Sequence, residues 1–296
     1  MKRFILLLSA VALAFSANAK DYALSTPNST IIISAEEGKA PMFRYYGSRA
    51  EVSDVHSAGR MINGQEAYPA FGTRCDKPFA SLVKQHDGDN AVKLVVEKVV
   101  ERKEGNISTL SFLLRDVAHP TLAVKLNYLA YSDCDIVKIN TEYINEGKKP
   151  IVLQKYMSAV LPIQSENCVL LHLDGSAKNE CNEHIEPLTN GIRVIATQNG
   201  SQVAKHENAS FMLGLDGRLD ETNCPVIAGT LVWMGNFHFE FHNTLKSSAK
   251  TLFMGGINPA ASDYTLAAKQ SLVTPEMVFT YSTEQKAKEK SKDISI

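Results

Sequence analysis

Apolar and polar residues alternate with a period of two through most of this chain. That pattern fits half-buried strands rather than amphipathic helices. Leu110, Phe112 and Leu114 alternate with Thr109, Ser111 and Arg115. Leu122, Val124, Leu126 and Tyr128 alternate with Lys125 and Asn127, and Val137, Ile139, Thr141 and Tyr143 alternate with Lys138, Asn140 and Glu142. Val92, Leu94 and Val96 begin a similar run, and Glu276 to Tyr281 forms the last one. Turn signals separate the runs, among them Asp87-Gly88, Glu104-Gly105-Asn106, Asn190-Gly191, Asn199-Gly200 and Asp216-Gly217. The runs and turns mark roughly a dozen strands, which predicts an all-β antiparallel sandwich. No long amphipathic helix and no internal repeat interrupts the pattern.

The two ends read differently. Lys2 and Arg3 precede an apolar run from Phe4 to Phe15, broken by Ser9, and Ala17-Asn18-Ala19 follows with the small residues of a cleavage site. Residues 1–19 are therefore expected to be a signal peptide, and the protein is expected to be periplasmic or extracellular. The run is shorter than the about 20 residues of a membrane span, so no membrane partner is expected. Residues 20–282 are expected to form the β domain. Residues 283–296, rich in Lys and Glu, are expected to be a charged tail.

The charge balance of 31 basic against 32 acidic residues leaves no basic excess, so nucleic acid is not an expected partner. Cys75, Cys134, Cys168, Cys181 and Cys224 show no Cys-x-x-Cys spacing, and an odd count leaves one thiol unpaired within the chain. They read as buried or incidental cysteines with at most a bridge or so.

Chemistry-bearing patterns are sparse. His238, Glu240 and His242 share one face of a predicted strand, with Phe237, Phe239 and Phe241 on the other. At about 3.3 Å per residue the two histidines stand roughly 13 Å apart, too far for one metal ion to bridge. The phenylalanines are expected in the core and the polar three outward, with no metal and no cofactor. No Gly-x-Ser-x-Gly elbow and no phosphate-binding glycine loop occurs. Trp233, the only tryptophan, lies in an apolar run from Val226 and is expected in the core. Glu66-Ala67-Tyr68-Pro69-Ala70-Phe71-Gly72-Thr73-Arg74-Cys75-Asp76 crowds aromatics and charges into a loop-like stretch. It reads either as a Pro/Gly turn with aromatic anchors or as a sugar-contact loop.

Several blocks, in order, resemble the N-terminal domain of the glycoside hydrolase family 36 α-galactosidases. Tyr68-Pro69-Ala70-Phe71-Gly72 is similar to the family's Tyr-Pro-aromatic-Gly loop. His172-Leu173-Asp174-Gly175 with Glu180, and Gly200-Ser201 with Asn208 to Leu213, follow. Leu231-Val232-Trp233-Met234-Gly235-Asn236-Phe237 is similar to a Trp-Ser-Gly-Asn-Phe block, and Gly256-Ile257-Asn258-Pro259 and Thr274-Pro275-Glu276 complete the series. The resemblance spans Tyr22 to Ser282. It implies a large antiparallel β-supersandwich of the galactose mutarotase-like type, which agrees with the period of two.

In the family the loop after the Tyr-Pro block reaches the active site of a neighbouring subunit. This implies carbohydrate contact for Tyr68, Phe71, Arg74 and Asp76, although the spacing after Gly72 departs from the family's Asp-x-Arg-x-Pro-Ala. Ala177 and Ala209 also stand where the family often has Trp and Pro. The family's catalytic residues sit in a following barrel, in Lys-Trp-Asp and Ser-Gly-Gly-x-Arg contexts, and neither context occurs here. A barrel takes about 250 residues, far more than follow Ser282. The resemblance therefore implies an accessory domain truncated before its barrel and inactive alone. Its implied partners are an α-galactoside or galactose-type sugar, a catalytic barrel on another chain, or copies of itself. Two alternatives stand beside it: a stand-alone secreted carbohydrate-binding or oligomerisation module, and an aldose epimerase using His172 with Glu180 or His238 with Glu240.

Overall fold

The computed structural model describes residues 19–72, 77–176, 178–198, 207–219, 224–244, 250–260 and 262–283. The signal-peptide segment apart from Ala19, the loop positions Arg74, Cys75 and Asp76, and the tail from Glu284 lie outside these residues. The fold is all-β and antiparallel, as the alternation predicts, and is the large β-supersandwich that the family resemblance implies.

A ten-stranded sheet forms one layer. It contains β5 (Leu94–Glu104), β6 (Ile107–Asp116), β7 (Leu122–Tyr131), β8 (Val137–Asn145), β10 (Val169–Ser176), β11 (Asn179–Pro187), β13 (Ser210–Gly214), β14 (Val226–Leu231), β18 (Ser271–Val273) and β19 (Met277–Ser282). Their order is β11-β10-β13-β14-β19-β8-β7-β6-β5, with β18 also on β8. Six strands form the second layer: β4 (Ser81–Lys84), β9 (Ile151–Ile163), β12 (Gly191–Ala196), β15 (Phe237–Asn243), β16 (Thr251–Ile257) and β17 (Tyr264–Leu266). Here the order is β12-β15-β16-β9-β17, with β4 also on β9.

The core lies between these layers. In β8 every second side chain is buried, and β7 and β6 from Leu110 onward follow the same alternation apart from the additionally buried Ala123 and Ser111, so one face of each strand points inward. From the facing sheet come Phe237, Phe239, Phe241 and Phe253, all buried. The Phe253 ring sits at their centre, with ring centroids of Phe211 at 4.8 Å, Phe241 at 5.2 Å, Phe239 at 5.4 Å and Phe279 at 5.7 Å. The predicted phenylalanine face is thus part of the core.

A three-stranded sheet, β1 (Lys20–Ser25), β2 (Ser29–Ala35) and β3 (Met42–Ser48), closes one end of the sandwich. β1 leans on β6 and β7, while β3 touches β9 in one layer and β19 in the other. Every residue of β2 is buried. Ile31 and Ile33 join the main core, whereas Ile32 packs with Tyr45 and with Val55 of the short helix α1 (Val52–Ser57).

Trp233 departs from expectation. β14 stops at Leu231, and the Trp233 N–H donates to the Leu231 carbonyl at 2.8 Å, turning the chain out of the sheet. The indole folds over Gly235, where a Cβ would lie 2.6 Å from Nε1. Trp233 is 43% exposed, and its neighbour Met234 is 74% exposed.

Candidate functional site

The loop from Glu66 to Ser81 is fastened at both ends. Its Tyr68 side chain is buried, and the hydroxyl donates to the Met157 carbonyl at 2.6 Å while sharing a 2.8 Å hydrogen bond with the Tyr143 hydroxyl. Burial foremost, with the neighbouring Tyr143, holds the Tyr68 phenol well above its ordinary value. Tyr68 therefore sits under the loop and anchors it to β8 and β9. Backbone bonds from Ala80 N–H to Pro69 O and from Phe71 N–H to Ser81 O close the loop's base. Gly72 turns the chain at φ +103°, and a Cβ there would meet the Ala91 Cα at 2.5 Å. Only glycine accepts both conditions without a shift of backbone.

Phe71 is 37% exposed beyond this base. Its ring meets Phe79 edge-on at 5.2 Å. Phe79 lies under the Lys155 ammonium, 5.0 Å from the ring centroid. Lys155, on β9, reaches across β16 to the Glu240 carboxylate of β15 at 2.8 Å. His238 Nε2 lies 2.8 Å from Glu240 Oε1, and His242 Nε2 lies 2.8 Å from Oε2. The fold thus joins two features that are far apart in sequence, the aromatic loop and the alternating histidine–phenylalanine strand.

The polar ladder is half sunk into the surface rather than fully outward. The Glu240 side chain is only 12% exposed. Its burial alone pushes its carboxyl up, but hydrogen bonds from His238, His242 and Lys155 outweigh that and hold it well below the usual carboxylate range. Both carboxylate oxygens are occupied, so Glu240 is a fixed anion that organises three neighbours and not a free base. Each histidine meets its own oxygen of the one carboxylate.

His172 belongs to a different cluster, on β10 of the larger sheet, where Arg193 of β12 reaches its Nε2 at 3.2 Å. It is buried, with Nδ1 at 2.8 Å from Glu207 and its ring stacked on His184 at 5.1 Å. Glu186, the second carboxylate near His172, is held by Arg193 Nε at 2.5 Å. The pairing of His172 with Glu180 is not what the structure forms, since Glu207 and Glu186 take those places. Among the described residues no group of three or more His, Cys, Asp or Glu is arranged to hold a metal ion. Cys134, Cys168, Cys181 and Cys224 are free thiols.

Phe79 and Lys155 were not singled out by sequence. Lys155 sits in a mixed run of β9, and only the third dimension places it between Phe79 and Glu240.

A two-layer antiparallel supersandwich with an aromatic loop over its smaller sheet is the class that these elements define. The Glycosyl hydrolase family 36 N-terminal domain matches residues 39–267. The chain belongs to that family. Alpha-galactosidase AgaA of Geobacillus stearothermophilus is 25% identical over 234 residues, which are 74% of this chain and 31% of that protein. The bifunctional alpha-galactosidase/sucrose kinase AgaSK of Mediterraneibacter gnavus is 22% identical over 307 residues, covering 93% of this chain and 32% of that one. The chain spans about a third of the length of the curated relatives it matches. Among solved structures, AgaA of Geobacillus stearothermophilus in complex with raffinose aligns with a TM-score of 0.80 at 19% identity. That alignment covers 90% of this chain and 41% of the AgaA chain.

Proposed function

We propose that residues 20–282 act as the accessory β-domain of an α-galactosidase-type glycoside hydrolase and are inactive alone. The observation that carries this reading is the family match itself: it runs through the supersandwich, yet the chain spans only about a third of its α-galactosidase relatives. Glu240, the carboxylate at the centre of the polar ladder, is already clamped by three partners, which suits a structural anion better than a nucleophile or acid.

In this reading the loop is the side of the domain that meets an α-galactoside. Phe71, Arg74 and Asp76 supply the contacts, and Tyr68 holds the loop from beneath. An aromatic ring with charged neighbours suits the apolar face and hydroxyls of a galactose ring. The relevant catalytic domain lies outside these residues. Export to the periplasm or cell exterior is part of the proposal, supported by Lys2, Arg3, the apolar run and Ala17-Asn18-Ala19.

The test is hydrolysis of an aryl α-galactoside by the purified chain. The expected result is no turnover above a buffer blank. Turnover that survives purification to homogeneity overturns the reading.

A further inference from the structure

Two carboxylates close on one imidazole beside the turn that joins β4 to β5. His119, in the connection between β6 and β7, has Nδ1 at 3.3 Å from Asp116 Oδ2 and Nε2 at 3.2 Å from Asp87 Oδ2. A third carboxylate, Asp89, stands 3.9 Å from the same Nε2. The ring is mostly buried and Asp116 wholly so, whereas Asp87 and Asp89 are about half exposed. Asp116 also accepts from the backbone N–H groups of Lys93, Ala118 and His119, which fixes its carboxylate in place. Arg115, the neighbouring cation on β6, is taken up by Glu97 and Glu146. The charged groups that face the ring, Asp87 and Asp89 from the turn and Asp116 from β6, are thus all acidic.

Only one protonation state suits this arrangement. An imidazolium donates from both nitrogens and satisfies both carboxylates at once. A neutral imidazole has a single N–H, and its other nitrogen turns a lone pair toward a carboxylate. Burial works against the charged ring, but hydrogen bonds with Asp87 and Asp116 outweigh it and raise the imidazole above its ordinary value. The Asp89 backbone N–H, and after it His119, hold the Asp87 carboxyl below its ordinary value. The strapped turn leads straight to the aromatic loop. Gln85 N–H donates to the Asp89 carbonyl at 2.7 Å and Asp89 N–H to the Asp87 carboxylate at 3.1 Å, which closes the turn on itself. The Asp89 carboxylate accepts from the Ala91 N–H at 2.9 Å. Ala91 lies against Gly72, and the next residue, Val92, donates to the Phe71 carbonyl at 2.8 Å. Whatever holds Asp87 and Asp89 therefore also holds the backbone on which Phe71 is presented.

We propose that His119 is a pH latch on the aromatic loop. As the imidazolium it straps the Asp87–Asp89 turn to the end of β6, and the Phe71 end of the loop is held firm. As the neutral ring it releases one of its two carboxylates, and the turn and the loop loosen together. The hold is complete below the ordinary histidine value of 6.5 and is lost as pH rises through the higher value of the folded protein. The latch rests on the sugar-contact reading only for what Phe71 touches; the strap itself stands on the geometry around His119.

Nuclear magnetic resonance of the purified chain from roughly pH 5 to roughly pH 9, across the histidine range, tests it. The His119 ring signals, assigned by their loss in His119→Gln, give its titration midpoint. Amide exchange at Val92, corrected for the intrinsic effect of pH, gives the firmness of the loop. The expected result is that protection at Val92 falls several-fold as pH rises, with the midpoint of the His119 titration. In His119→Gln the protection no longer depends on pH over this range. Asp87→Asn, at a half-exposed side chain, lowers the His119 midpoint and shrinks the fall in protection. Protection at Val92 that stays flat in the wild type while His119 titrates overturns the proposal. So does a His119→Gln chain that keeps the wild-type profile, or a His119 midpoint unmoved by Asp87→Asn. None of these readings involves a sugar or its hydrolysis, so the latch and the proposed function fail separately.

Discussion

The Lys155 ammonium and the Glu240 carboxylate, 85 residues apart in sequence, meet at 2.8 Å across the width of β16. That contact ties β15 to β9 and, through Phe79, to the aromatic loop.

Glu240→Gln removes the anion that three groups share. The variant is expected to lose about 2 kcal/mol, the scale of hydrogen bonds to a charged group after allowance for solvent screening. Since the Glu240 carboxyl is held low in the folded protein, its contribution is complete above the ordinary glutamate value of 4.5. It is lost as pH falls from there toward the depressed folded value. Urea midpoints of the two proteins should therefore differ by a constant amount between pH 5 and 7, as a rough window, and converge in stronger acid.

Tyr68→Phe leaves the Met157 carbonyl without its donor and Tyr143 without its hydroxyl partner. Both groups are buried, so the expected cost is about 1–3 kcal/mol. Tyr143→Phe is expected to cost less, because Tyr68 keeps its bond to Met157. The double variant should fall short of the sum, since the two hydroxyls share one network. Chemical denaturation of the four proteins completes the cycle.

Gly72→Ala forces a side chain into a φ of +103° and against the Ala91 backbone. A loss of more than about 1 kcal/mol is expected. The damage should be local as well as global. Val92 N–H donates to the Phe71 carbonyl at 2.8 Å, so faster amide exchange at Val92 is the sensitive readout.

Phe253→Ala empties the centre of the phenylalanine cluster, where four other rings converge. The expected cost is about 3–5 kcal/mol, enough to lower the melting temperature by roughly 2–4 °C per kcal/mol. Near-ultraviolet circular dichroism and thermal melts give the check.

Much of this architecture is written in the alternation. β8 buries every second side chain, and β7 and β6 from Leu110 onward do so apart from Ala123 and Ser111, much as their sequences predict, and the turns at Gly88, Gly105, Gly191 and Gly217 all take positive φ. β2 was less legible. Ile31 and Ile33 face the main core while Ile32 faces Tyr45 and α1, so both faces are covered and the alternation vanishes. Trp233 misled because hydrophobicity says nothing about where a strand ends. The Gly235 two residues later was the available signal, since an indole folded onto a glycine leaves the sheet. The Lys155–Glu240 contact had no local signature at all. Its partners meet only because β16 threads between β15 and β9.

The place of β19 in the larger sheet has one further consequence. It is the last described strand of the chain, yet it lies near the middle of that sheet, between β14 and β8. Until residues 277–282 are synthesised, the sheet exists only as two halves with unzipped inner edges. A nascent chain must therefore hold its earlier strands in waiting until β19 arrives to join the two halves of the sheet. Such long-range closure is slow compared with local pairing.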